Sequence, residues 1–179
     1  MSEQAEPDLA ELIKSRLRDV PDFPLPGIIF KDIAPLLADA AVFGACIDVL
    51  AALPEACDAD LIAGVEARGF VVAASLARAV AAGVVTVRKG GKLPPPTVTT
   101  TYELEYGSAE IAVPLGVLEG KRVYLVDDVL ATGGTLKAAL GLLTLAGAVI
   151  SGVGVLVELS FLNGRKLLAD QNVTALLRL

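Results

Sequence analysis

Apolar residues recur at two different periods along this chain. Leu9, Leu12, Ile13 and Leu17 fall at helical spacing, which predicts an amphipathic helix over residues 8–19. The stretch PDFPLPG (21–27) holds three prolines and predicts an extended connector. Asp39 stands where it can cap a helix carrying Val42, Phe43, Cys46, Ile47 and Leu50. Short, unbroken apolar runs then alternate with helical segments. DLIAGV (60–65) reads as a strand, EARG (66–69) as a turn, and FVVAASLARAVA (70–81) as a helix ending near Gly83. VVTVR (84–88) is the next strand. KGGKLPPPTVTTT (89–101), with its glycines and consecutive prolines, is expected to form a weakly ordered loop and no packed element. YELEYGSAEIAV (102–113) alternates and predicts a β-hairpin turning at YGSA. RVYLV (122–126), a helix to about Gly147, and strands in VISGVGVLVEL (149–159) and VTALLRL (173–179) complete the pattern.

Repeated strand–turn–helix units with wholly apolar strands predict an α/β fold, a mostly parallel sheet flanked by helices. In such sheets ligands sit at the carboxyl ends of strands, so EARG, VRKGGK and DDVLATGG are expected to gather at one rim.

Composition narrows the picture. A length of 179 residues suits one domain. Hydrophobic residues are 54% and aromatics 4%, so the core must be aliphatic. No apolar run approaches the roughly 18 residues of a membrane span. The polar, acidic start MSEQAEPDLAELIK lacks a signal-peptide pattern, which leads us to expect a cytoplasmic protein. Cys46 and Cys57 have no metal spacing, and the absence of histidine excludes histidine-based triads and zinc sites that use it. A net charge of −6 does not suit nucleic acid, so an anionic substrate needs a local basic patch.

The candidate chemistry lies in VYLVDDVLATGGT (123–135). Gly133 and Gly134 open the backbone amides to a phosphate, Thr132 and Thr135 add hydroxyl donors, and the following helix points its free N–H groups at the anion. A capped strand-to-helix turn would look the same. The adjacent acids Asp127 and Asp128 decide against that reading. Two carboxylates at the end of a buried strand are costly, and carboxylates accept the two hydrogen bonds that a vicinal diol donates. The pair suits the 2- and 3-hydroxyls of a ribose whose 5-phosphate lies in the turn.

This thirteen-residue stretch resembles the phosphoribosyl pyrophosphate (PRPP) signature of the type I phosphoribosyltransferases. DFPLPGIIFKDIAPLL (22–37), GVEARGF (64–70), RKGGKLP (88–94) and YELEYG (102–107) resemble, in order and approximate spacing, the adenine phosphoribosyltransferases within that family. The resemblance covers about residues 20–160. It implies a type I fold with a small N-terminal hood (1–36) on a PRPP-binding core (37–179), a flexible catalytic loop, and a homodimer. It implies the conversion of adenine and PRPP to AMP and pyrophosphate, with Mg²⁺ held mainly through PRPP and no direct protein ligand to the metal.

The implied PRPP contacts are Asp127, Asp128, Ala131, Thr132, Gly133, Gly134 and Thr135, with Glu66, Ala67 and Arg68 in a pyrophosphate loop containing a cis Glu66–Ala67 bond. Arg88, Lys89 and Lys92 would form a basic lid, Arg88 reaching a partner subunit's site. Glu105, Arg68 and Lys92 are the implied catalytic residues, Glu105 handling the purine proton beside Tyr106. Ile29, Phe30, Lys31, Val129 and Leu159 are the implied adenine contacts, Phe30 by stacking. Two other readings fit the same residues: transfer to another purine such as xanthine or guanine, or a non-enzymatic PRPP-sensing regulator. The acidic residues before the matched region do not suit the DNA-binding segment a regulator needs. A P-loop enzyme fails for lack of a lysine in ATGGT.

Overall fold

A computed structural model of the chain describes residues 8–103 and 108–179. Two compact units divide it, Met1–Cys46 and Ile47–Leu179. The division falls inside a helix, Ala40–Ala51.

In the first unit, α1 (Leu9–Ser15) is followed by the antiparallel pair β1 (Arg18–Pro21) and β2 (Ile29–Asp32), then α2 (Ala34–Ala38) and the start of α3 (Ala40–Ala51). The helix expected over 8–19 is therefore cut short. Arg18 and Asp19 are instead drawn into the ladder, where each faces an opposite charge. Arg18 pairs with Asp32 at 2.6 Å, and Asp19 with Lys31 at 2.7 Å. PDFPLPG is a hairpin connection and not an extended connector. The Phe23 amide donates to the Ile28 carbonyl at 3.2 Å, and Asp22 Oδ1 accepts from the Gly27 amide at 2.7 Å. Asp39 caps α3 as expected, accepting from the Ala41 and Val42 amides, both at 3.1 Å.

The second unit adds α4 (Pro54–Cys57), β3 (Leu61–Val65), α5 (Gly69–Val80), β4 (Gly83–Lys89), β5 (Thr97–Glu103), β6 (Ser108–Pro114), β7 (Arg122–Leu130), α6 (Gly134–Leu145), β8 (Val149–Glu158) and β9 (Val173–Arg178). Seven strands form one sheet in the order β5-β6-β4-β3-β7-β8-β9. Strands β4, β3, β7, β8 and β9 run parallel, while β6 and β5 extend the β4 edge as an antiparallel hairpin. The core is aliphatic, as composition required. Val65, Val87, Leu125 and Val155 of the sheet pack with Leu136, Leu142 and Leu143 of α6.

One expectation fails in part. Residues 97–101 do not belong to a loose loop, because β5 begins at Thr97 and pairs in continuous register with β6. Threonine is β-branched and suits a pleated ladder, and Val98 packs onto the core. The turn between β4 and β5 shrinks to residues 90–96. The turn of the predicted hairpin lies outside the described residues, as do Glu105 and Tyr106. Two 3₁₀ turns, Ser160–Leu162 and Gly164–Leu168, link β8 to β9.

Candidate active site

Parallel strands β3 and β7 are neighbours, so the segments leaving their carboxyl ends face each other. Together they enclose a cavity of about 240 Å³, lined by Glu66, Ala67 and Arg68 from one side and by Asp127–Gly133 and Thr135 from the other. Two of the three segments expected at the rim, EARG and DDVLATGG, therefore meet here. The Glu66–Ala67 peptide bond is cis. Strand β7 runs on to Leu130, which places the acid pair inside the strand and not at its end.

The two acids differ. Asp128 is only 4% exposed, and its Oδ2 lies 2.8 Å from Arg68 Nε. Asp127 is half-buried, and its Oδ1 accepts from the Asp128 amide at 2.9 Å. Burial, and then the negative charge of Asp128, push the Asp127 carboxyl well above the usual range; the Arg68 cation offsets this in part. The first residue of α5 approaches the same group with no room for a side chain, since a Cβ on Gly69 would lie 2.9 Å from Asp127 Oδ1.

Ala131, Thr132 and Gly133 make the bend that leads into α6. Gly133 has φ 85°, a conformation that favours glycine, and stands at the helix N-cap position. Thr135 Oγ1 lies 3.5 Å from the Tyr102 hydroxyl, linking this turn to β5.

Arg88, Lys89 and Lys92 do not line this cavity. Lys89 belongs to a second hollow with Gly90, Tyr102 and Glu110, and the two hollows share Glu66 and Thr135. Glu66 Oε2 accepts from the Lys89 amide at 2.9 Å and lies 3.4 Å from Arg88 Nε. The Lys89 amide first, and then the Arg88 cation, hold the Glu66 carboxyl below the usual range. Arg88 also donates to the Lys92 carbonyl at 3.0 Å, and its guanidinium lies 6.0 Å from the Phe70 ring centroid. Lys92 is exposed.

Val129 lines the cavity between the β3 and β7 ends, while Leu159, just past the end of β8, is not among its lining residues. Ile29, Phe30 and Lys31 lie on β2 of the first unit, where Phe30 meets Phe23 edge-on at 5.2 Å. Among the described residues, no group of three or more histidine, cysteine, aspartate or glutamate side chains is placed to hold a metal ion.

The phosphoribosyl transferase domain family matches residues 40–172. A curated adenine phosphoribosyltransferase of Mycolicibacterium gilvum is 51% identical over 178 residues, covering 98% of each chain. The crystal structure of the enzyme of that name from Thermoanaerobacter pseudethanolicus is 46% identical, with a TM-score of 0.90 over 95% of this chain and 99% of that one. This chain belongs to the adenine phosphoribosyltransferase family. The sheet order and strand-end rim described above are accordingly those of the type I phosphoribosyltransferase fold. A family member from Giardia lamblia, solved with 9-deazaadenine, is 32% identical with a TM-score of 0.90 and covers 97% of this chain and 99% of that one.

No sequence motif marks Glu158, whose carboxylate pairs with Arg165 at 2.6 Å, or Gly164, whose backbone lies against Ala131 and Gly133. Glu158 ends an apolar strand as a lone acid, which is a visible signal; the contact made by Gly164 is long-range and has none.

Proposed function

We propose that the chain transfers the phosphoribosyl group of PRPP to adenine, releasing AMP and pyrophosphate. The observation that carries this reading is the acid pair facing the Ala131–Thr135 turn across one small cavity, in a chain of this family.

The 5-phosphate is assigned to the amides of the turn and the N-terminus of α6, and the ribose diol to Asp127 and Asp128. As the bond from C1 to pyrophosphate breaks, the ribose gains positive charge. The two carboxylates favour that charge, and Arg68 pairs with the buried Asp128 at 2.8 Å. Arg68, Arg88, Lys89 and Lys92, with the backbone of Glu66 and Ala67, are assigned to the departing pyrophosphate. Glu105 is assigned to accept the proton from the purine nitrogen that attacks C1, and Ile29, Phe30, Lys31, Val129 and Leu159 to contact adenine. Mg²⁺ is proposed to enter on PRPP and supply charge neutralisation there; an acid pair beside a diol site is compatible with such a ligand. We infer a homodimer acting in the cytoplasm. Among the described residues no helix is long and apolar enough to cross a membrane, and the net charge of −6 does not favour nucleic acid.

Incubating the protein with PRPP, Mg²⁺ and adenine tests the proposal. AMP and pyrophosphate should appear in equal amounts. Pyrophosphate without AMP would mean that PRPP is hydrolysed and the base is not the acceptor.

A further inference from the structure

Among the described residues the two buried charged side chains are Asp128 and Glu158. The transfer reaction uses the first. Glu158, only 5% exposed, has no part in it and is not among the residues lining the cavity. A buried carboxylate is costly unless it is compensated, and this one is compensated heavily. Arg165 Nε lies 3.0 and 3.1 Å from its two oxygens and Nη2 lies 2.6 Å from Oε2, while Arg178 Nε is 3.3 Å away. Arg165 Nη1 also donates to the Val173 carbonyl at 2.8 Å, tying the clamp to β9.

The clamp sits directly behind the phosphate turn. Glu158 is the register partner of Leu130, and the Leu159 amide donates to the Leu130 carbonyl at 2.9 Å. Between Glu158 and Arg165 the chain doubles back through Asn163, at φ 56°, and delivers Gly164 against the turn. A Cβ on Gly164 would run into the Ala131 carbonyl oxygen and stand 2.8 Å from the Gly133 nitrogen. A Cβ on Gly133 would in turn stand 2.5 Å from the Gly164 carbonyl oxygen. The two backbones meet with no side chain between them.

We propose that Gly164, held in place by the Glu158–Arg165 clamp, is a positioning residue that sets the Ala131–Gly133 turn and thereby the 5-phosphate end of PRPP. The proposal rests on the transfer reaction assigned above. It makes a distinction that simple destabilisation does not: a displaced turn weakens PRPP and leaves adenine alone.

The test is steady-state kinetics on wild type, Gly164→Ala and Arg165→Gln, with circular dichroism confirming the fold. Wild-type turnover of adenine and PRPP comes first, because its absence would count against the assigned reaction and not against the clamp. In folded Gly164→Ala the KM for PRPP should rise about tenfold or more, as a turn shifted by part of an ångström implies, with the KM for adenine within about twofold of wild type. If Gly164→Ala does not fold, Arg165→Gln carries the test, with a rise of about threefold expected for PRPP alone. An unchanged KM for PRPP in a folded variant, or equal losses for both substrates, overturns the proposal. So does the failure of both variants to fold, which would make the clamp purely structural.

Discussion

Arg68 Nε lies 2.8 Å from Asp128 Oδ2, so the arginine of the loop after β3 is bound to the second acid of β7. This separates the acids that the sequence presents as an equivalent pair. Asp128→Asn removes the charge that Arg68 compensates. Breaking a fully buried pair costs about 3–5 kcal/mol, but the Arg68 side chain is 42% exposed, so about 1–2 kcal/mol is the appropriate scale. That corresponds to a thermal midpoint lower by about 3–6 °C for a chain of this size.

Asp127→Asn should act in the opposite direction on stability. Burial and the charge of Asp128 raise the Asp127 carboxyl, and a raised group stabilises the fold below its unfolded pKa and loses that contribution as pH rises through its folded value. Ionising Asp127 is therefore a burden on the free protein. Asparagine removes it and can keep the hydrogen bond that Oδ1 accepts from the Asp128 amide. Thermal melts at pH 7 should show Asp127→Asn at or above wild type and Asp128→Asn below it, while kcat/KM falls in both. Equal destabilisation by the two changes would contradict this assignment.

Acid stability should depend on the Glu158 clamp. The Arg165 guanidinium, hydrogen-bonded to Glu158, holds that carboxyl below its usual range. A depressed acid stabilises the fold above its unfolded pKa, about 4.3 for glutamate, and the contribution fades as pH falls through the folded value. Wild type should thus lose its margin over Glu158→Gln as urea-unfolding curves are taken from pH 7 to below pH about 4. A margin independent of pH would argue against an ionised clamp.

Most of the sheet was legible because β3, β4, β7 and β8 carry apolar runs too short and too β-branched to be helices. The rim followed from the parallel arrangement alone. The failures share one physical cause, which is that pairing across distance overrides local preference. Arg18 and Asp19 continue a helical pattern locally, yet Asp32 and Lys31 draw them into a hairpin. Thr97–Thr101 follow three prolines and look like loop, yet β6 offers them a ladder. The acid pair was visible in the sequence, whereas its division of labour depends on where Arg68 points. Gly164 was invisible, because nothing local marks the close approach of its backbone to Ala131.

The shortened loop sharpens the lid prediction. The Lys89 amide is bound to Glu66, and the Gly90 amide donates to the Glu110 carbonyl at 2.8 Å. Lys92 is exposed in the turn. A lysine-specific protease should therefore cut the free protein after Lys92 and spare Lys89, with PRPP and Mg²⁺ slowing the Lys92 cut as the turn closes over pyrophosphate. Mass mapping checks this, and identical rates at saturating PRPP would show that the turn is not a substrate-gated lid.

Proton handling is assigned to Glu105, outside the described residues. Glu105→Gln should lower kcat by about 10²–10⁴-fold with PRPP binding kept, and Glu103→Gln should change it little. Equal effects at both positions would show the role is misplaced.

Transfer to adenine and transfer to another purine are distinguished by the choice of acceptor base. The direct measurement is kcat/KM for adenine, guanine, hypoxanthine and xanthine, each with saturating PRPP and Mg²⁺ and with nucleotide product quantified. AMP should form, with adenine preferred over every other base by at least about 10²-fold, the scale set by hydrogen bonds to a purine edge that the wrong base leaves unpaired. A higher kcat/KM for guanine, hypoxanthine or xanthine, or no nucleotide from any base, would contradict it.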